Sequence, residues 1–284
     1  MKKKKFTDRR DGEKLKTDGV HKLMLNILPK RTESETYLNK TIDVTNLVKY
    51  IEEKKKKDSK ITYFHAFSTA IGRSIYNYPS MNKFIIGGSF YKRNDISIGF
   101  VAKTSFTDSA KECLNVIKVE EKDTINSISK KISGDVKKIR SNKNNDTDSA
   151  IEFIGKLPKI LRCIIMKIIK FMDNHDLLPQ TLTNNSVYHC SILVSNLGSI
   201  NCPSIYHHLT NFGTNSVIMT IGKIHKEVLV IDGKKEIRDV CDFGITIDER
   251  IGDGYYFAKA VNLFEYILNN PELLEEHIND RVDL

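Results

Sequence analysis

Residues Val240 to Thr246 alternate apolar and polar side chains in the manner of a half-buried strand. Just beyond them Phe257, Ala260, Val261, Phe264, Ile267 and Leu268 recur at helical spacing. The polar stretch between the two, Asp248-Glu249-Arg250-Ile251-Gly252-Asp253-Gly254, is therefore predicted as a strand-to-helix turn, a place that often carries functional side chains. A plain turn with acids in the first turn of its helix is the other reading of the same pattern.

The rest of the chain alternates between the two periods. His21–Leu28 is an apolar segment that Pro29 terminates. Tyr37–Val44 reads as a strand, with Asp43 or Thr45 capping a helix to about Lys57. Ile61–Tyr78 has helical spacing and stops at Pro79. Strands are predicted at Phe84–Ile86, Ser89–Tyr91, Ile96–Ala102 and around Cys113–Ile117, followed by a helix from about Thr124 to Arg140. After a polar loop at 141–149, Ala150–Met172 is strongly apolar, and its cations from Lys159 onward (Lys159, Arg162, Lys167, Lys170) fall within an arc of about 140° on a helical wheel. A helix of that kind can lie on a membrane or lipid surface, or bury its face against a partner or a core. Tyr188–Ser195 and Ser216–Ile224 read as strands, Asp232-Gly233 as a hairpin turn leading to Glu236-Ile237 and the last strand, and a final helix is expected near Pro271–Ile278.

Composition narrows the setting. The 284 residues suit one large domain or two small ones, and 40% apolar residues suffice for a core. The reading is a charged, mobile arm over residues 1–20 and a single domain over 21–284, with an apolar, basic helical insertion near 150–178. No apolar run is long enough to span a bilayer, and the basic N-terminus is not followed by the apolar segment of a secretory signal. Five scattered cysteines without C-x-x-C spacing indicate neither a disulfide framework nor a zinc site, which fits a cytoplasmic protein without a metal. The net charge of +9 comes largely from runs such as Lys2–Lys5 and Lys54–Lys57. Such runs are usually solvated faces, and with no nucleic-acid module in the chain, nucleic acid is not expected as a partner.

The turn D-E-R-x-x-D-G resembles the C-terminal motif of chloramphenicol acetyltransferases and of the catalytic domain of dihydrolipoamide acyltransferases, H-x-x-x-D-G, usually within D-H-R-x-x-D-G. Asp248, Arg250, Asp253 and Gly254 match it, and Glu249 stands where that family has its catalytic histidine. Further similarities run in family order: Ile42-Asp43-Val44-Thr45 with Leu47, Pro79 with Met81-Asn82, the segment Ile96–Ala102, Ser195-Asn196-Leu197-Gly198, and Ser216–Ile224. The resemblance covers about Arg31 to Asn270 and includes no lipoyl-carrying segment. It implies a two-layer α/β sandwich with a mixed sheet and helices on one face, assembled as a homotrimer with active sites between neighbouring subunits.

It also implies roles. The family's histidine takes a proton from a thiol or hydroxyl, and a serine or threonine hydroxyl stabilises the oxyanion; Ser195 matches that hydroxyl. Asp253 matches a structural aspartate that pairs with an arginine, either Arg31 or Arg250, and Gly254 allows a sharp entry into the helix. Glu249 is the departure. Imidazole, near about pKa 6.5, suits a thiol at neutral pH better than a carboxylate near about 4.3 does. General-base help is worth roughly 10²- to 10⁴-fold. Three outcomes follow: Glu249 acts as base after being buried, with its affinity for protons raised by desolvation; His207 or His208 supplies the imidazole; or catalysis is lost. The function expected is transfer of an acyl group from acyl-coenzyme A to a thiol, hydroxyl or amine acceptor. The alternative is a catalytically inactive homotrimeric ligand-binding or scaffold protein of the same fold. His65, on an apolar helix, reads as a core histidine.

Overall fold

The computed structural model describes residues 8–103, 112–140 and 154–283. The loop at 141–149 and the opening residues of the apolar segment, 150–153, lie outside them. The strand periodicity is realised in a seven-stranded mixed sheet. Along its main path the order is β2 (Glu35–Asp43), β10 (Lys234–Asp248), β8 (Val217–Ile221), β7 (Ile192–Asn196), β5 (Ile96–Lys103) and β6 (Glu112–Val119). β9 (His225–Ile231) pairs with the first half of β10. The central pairs β5–β7 and β7–β8 are parallel and the others antiparallel.

Helices α2 (Thr45–Lys56), α3 (Tyr63–Asn77), α4 (Ile125–Arg140) and α7 (Gly254–Asn269) cover one face. Their apolar sides meet alternate residues of the strands: Ile192 and Val194 of β7, Val217, Met219 and Ile221 of β8, and Cys241, Phe243, Ile245 and Ile247 of β10 all lie in one buried cluster with them. Phe243 is wedged edge-on between Phe67 of α3 and Phe264 of α7. Because strand side chains alternate, Ser195, Thr220, Thr246 and Asp248 belong to the opposite face. The α/β two-layer architecture expected from the sequence is the one observed.

Several local expectations change. Residues 8–20 are not a mobile arm. Gly12–Lys14 form β1, which pairs with β4 (Ser89–Arg93) in a three-stranded sheet completed by β3 (Lys83–Ile86). Arg9 and Arg10 fasten this segment far along the chain: Arg9 Nη1 donates to the carbonyl of Asp173, and Arg10 Nε donates to Asp176 Oδ1 at 3.0 Å. His21–Leu28 becomes α1 (Gly19–Ile27), capped by Asp18. Part of the predicted Tyr188–Ser195 strand is a 3₁₀ turn, and the C-terminal helix shrinks to a 3₁₀ turn, Pro271–Glu275. The Asp232-Gly233 turn is confirmed, both residues having positive φ (48° and 78°), as the tight hairpin between β9 and β10 requires.

His65 does sit in the core. It is 5% exposed, and its Nδ1 accepts the backbone N–H of Thr62 while Thr62 Oγ1 caps α3 in return. Burial holds its pKa down to about 4. The folded state thus binds this proton more weakly than the unfolded chain, so the stabilisation is complete above about pH 6.5 and is lost as pH falls towards about 4. Urea titrations across that window should show a loss of about 3 kcal/mol. His65→Gln, which keeps an acceptor without titrating, should flatten that part of the profile.

Candidate functional site

Ser195 is the fourth residue of β7 and leaves the sheet through a 3₁₀ turn, Leu197–Ile200. It pairs in register with Thr220, which pairs with Gly244 of β10. Among the described residues nothing hydrogen-bonds its hydroxyl, and the residue is half-buried. The turn is pressed against β8: a Cβ on Gly198 would lie 2.6 Å from the carbonyl oxygen of Gly222, which explains glycine in S-N-L-G by close approach. The chain then crosses back over this face. Ile205 bonds to Thr220 Oγ1 in both directions, and its carbonyl occupies the place where a side chain at Gly244 would stand.

The opposite end of β10 runs into a one-turn 3₁₀ helix, Glu249–Ile251. Asp248, fully buried, is gripped by Arg250 through two bonds, Nε to Oδ1 and Nη2 to Oδ2, both 2.8 Å. Arg250 Nη1 also donates to the carbonyl of Leu28 at 2.7 Å. Arg31 approaches the other side of the carboxylate, Nε to Oδ2 at 3.7 Å, and donates to the carbonyls of Thr210, Ile85 and Gly213. Desolvation lowers the Arg31 pKa to about 10, against the pull of Asp248 and with the repulsion of Arg250 and Arg93 adding to it. Glu249 follows directly. Its N–H donates to Ser34 O at 2.9 Å, and its exposed carboxylate accepts from Thr36 Oγ1 at 3.1 Å. Thr36, the second residue of β2, carried no sequence signal beyond its place in a polar stretch.

The expected site is thus divided. From Gly244, level with Ser195, to Glu249 the strand runs about 16 Å, and two strand spacings add about 10 Å sideways, so the backbones at the two residues lie roughly 19 Å apart within one subunit. Nor is Glu249 buried here. His207 and His208 do not fall beside the serine either. Tyr206 rests on Tyr37 and Leu209 N donates to Glu35, so both histidines lie along the start of β2, toward the Glu249 end, exposed and stacked on each other at 4.7 Å.

Two roles implied by the resemblance are corrected. Asp253 pairs with neither Arg31 nor Arg250; it is exposed and caps α7, accepting the N–H of Tyr256 at 2.8 Å. Both arginines turn to Asp248, which lies deeper and offers a carboxylate already sealed from water. Gly254 opens α7 without a positive φ, and a Cβ there would meet nothing, so no sharp turn demands it.

Beside the turn lies a cavity of about 460 Å³ bounded by the end of α1, the Gly87-Gly88 turn and the helix α5 (Lys159–Asn174). Lys30, Arg31, Lys170 and Arg250 line it beside Asp173, so its wall is mainly basic, with the charge of the two arginines shared with Asp248 and that of Lys30 with Glu33. Removing the sealed carboxylate with Asp248→Asn should cost about 3–5 kcal/mol of unfolding free energy, because two buried guanidinium groups lose their counter-charge. Asp253→Ala should cost only about 1 kcal/mol, the worth of a helix cap. Chemical denaturation of the two variants measures the order, and the reverse order would return the anchoring role to Asp253.

The comparisons with known proteins agree with this architecture. The model of the 2-oxoacid dehydrogenases acyltransferase family (catalytic domain) matches residues 10–150 and 171–275, passing over 151–170. The lipoamide acyltransferase component of the branched-chain alpha-keto acid dehydrogenase complex of Bacillus subtilis (strain 168) is 25% identical over 261 residues, which are 89% of this chain and 51% of the relative. This chain therefore spans about half the length of that protein. Among solved structures, a probable dihydrolipoamide acetyltransferase from Listeria monocytogenes 4b F2365 superimposes with a TM-score of 0.60 at 19% identity, covering 91% of this chain and 94% of that one. The cubic core of the pyruvate dehydrogenase multienzyme complex gives 0.61 at 15% (92% and 93% covered), and a chloramphenicol acetyltransferase 0.51 at 14% (90% and 100%). At these identities the structural likenesses speak for the fold, and the family match speaks for descent: this chain belongs to the 2-oxoacid dehydrogenase acyltransferase catalytic-domain family, whose chemistry is acyl transfer.

Proposed function

We propose that this chain transfers an acyl group from acyl-coenzyme A to a thiol, hydroxyl or amine acceptor, in active sites completed between copies of the chain. One observation carries the reading. Ser195 and Glu249 stand at opposite ends of one sheet, and among the described residues the first has no hydrogen-bond partner for its hydroxyl and the second, exposed, is held by Thr36. Two different patches of one chain that must meet define a head-to-tail contact, which makes a ring when the rotation between neighbours closes. A homotrimer is the ring the family resemblance implies. One of the structural relatives is described as the cubic core of a multienzyme complex.

In such a site Glu249 of one copy takes the proton of the acceptor. The acceptor atom attacks the thioester carbonyl, and the hydroxyl of Ser195 from the neighbouring copy donates to the oxyanion. Collapse breaks the carbon–sulfur bond, and the coenzyme A thiolate recovers the proton from Glu249. Coenzyme A is a polyanion, and the cationic cavity beside the Glu249 turn suits it, as does the net charge of +9. A second reading, an inactive trimeric ligand-binding or scaffold protein, draws on the replacement of imidazole by a carboxylate that Thr36 already occupies.

Acyl transfer from acetyl-coenzyme A should be measured against a panel of thiols, amines and alcohols. Glu249→Gln should lower the rate by roughly 10²- to 10⁴-fold, and Ser195→Ala by about 10²- to 10³-fold. Co-assembly of the two variants in equal amounts should restore about a quarter of the sites, since random neighbours place an intact Ser195 against an intact Glu249 that often. An undiminished rate in Glu249→Gln overturns the carboxylate base. Binding of coenzyme A by calorimetry with no turnover on any acceptor leaves the inactive reading standing.

A further inference from the structure

The most exposed apolar surface described in the chain is on α5. If Lys159 is set at zero and each residue steps by 100°, Ile160, Leu161, Ile164, Ile168 and Phe171 form an outward stripe about 100° wide. All five are exposed, from 43% at Leu161 to 77% at Ile160. Lys159, Lys167 and Lys170 flank one edge of that stripe within about 80°. The helix contains one acid, Asp173, and that residue is buried. Burial in the core of the same subunit, one of the outcomes expected from sequence, is therefore not what the helix does.

Its attachment accounts for this. α5 is fastened at its C-terminal end. Asp173 accepts from His189 Nε2 at 3.1 Å and lies 3.6 Å from Arg9 Nη2, and the Asp176 carboxylate accepts from Arg10. Further up the helix the half-buried Ile169 and the more exposed Met166 line an apolar cavity of about 450 Å³ with Leu178, Leu182 and Phe212. The helix is propped over the body from one end.

We propose that α5 seats the protein on an anionic phospholipid membrane, the stripe entering the headgroup–acyl boundary and the lysines meeting lipid phosphates. An apolar face bordered by lysines and free of exposed acid has the make-up of an interfacial helix, and the +9 net charge adds long-range attraction. At 16 residues the helix is about 24 Å long, too short to cross, and no described helix is long and apolar enough to do so. A second copy of the same face is a poorer occupant, since two-fold pairing sets these lysines against their own counterparts. Most of the helix, through Lys170, also falls in the stretch that the family model passes over, so family-type assembly does not call for it.

The test is co-sedimentation of the intact protein with vesicles of equimolar phosphatidylcholine and phosphatidylglycerol, beside vesicles of phosphatidylcholine alone. Binding to the anionic vesicles that weakens with salt is expected. Replacing Lys159 and Lys167 with Gln should weaken it about thirtyfold, and Ile164→Glu with Ile168→Glu should abolish it. These positions are on the exposed side, and circular dichroism checks that the variants fold. No sedimentation with anionic vesicles, equal sedimentation with both kinds, or binding unaffected by the glutamates overturns the proposal. A smaller assembly for the glutamate variant, seen by sedimentation velocity without lipid, also overturns it, by showing the stripe to be a contact between copies.

Discussion

Two guanidinium groups closing on one carboxylate that water cannot reach hold this molecule's most important turn. Asp248 ends β10, the strand shared by most of the large sheet, and Arg250 and Arg31 converge on it from the turn itself and from the segment before β2. Through their remaining N–H groups they collect the carbonyls of Leu28, Ile85, Thr210 and Gly213, so three segments distant in sequence are fixed around one charge. A buried cluster of this kind adds little net stability over an apolar one, but breaking it leaves charge stranded. Its effect is positional. Glu249 has to emerge beside Thr36, because the residues on either side of it, Asp248 and Arg250, cannot move.

The elements were legible in the chain wherever a period ran for several residues. β5, β8, α3 and α7 fall close to where alternation or helical spacing puts them, since these segments bury one face against the same cluster. The residues that were misread depend on partners far away. Nothing local in Asp8–Arg10 announces burial; it follows from acids more than 160 positions downstream, at Asp173 and Asp176. In the site, S-N-L-G and D-E-R-x-x-D-G could be recognised, and so could the oddity of Glu249 among them. Which aspartate of the motif faces the arginines could not. Asp248 and Asp253 are both turn acids in one dimension, and depth separates them only in three. The long-range layout of the serine and glutamate was equally hidden, because it depends on which strand lies between them and in which direction it runs.

The division of the site has a consequence for the economy of the protein. On the reading proposed for it, a single folded subunit holds both reactive groups and can use neither. Turnover then tracks the fraction of chain that is assembled, and dilution below the dissociation constant of the assembly silences the protein. Folding and function become separate thermodynamic events, the first decided within the chain and the second by its concentration.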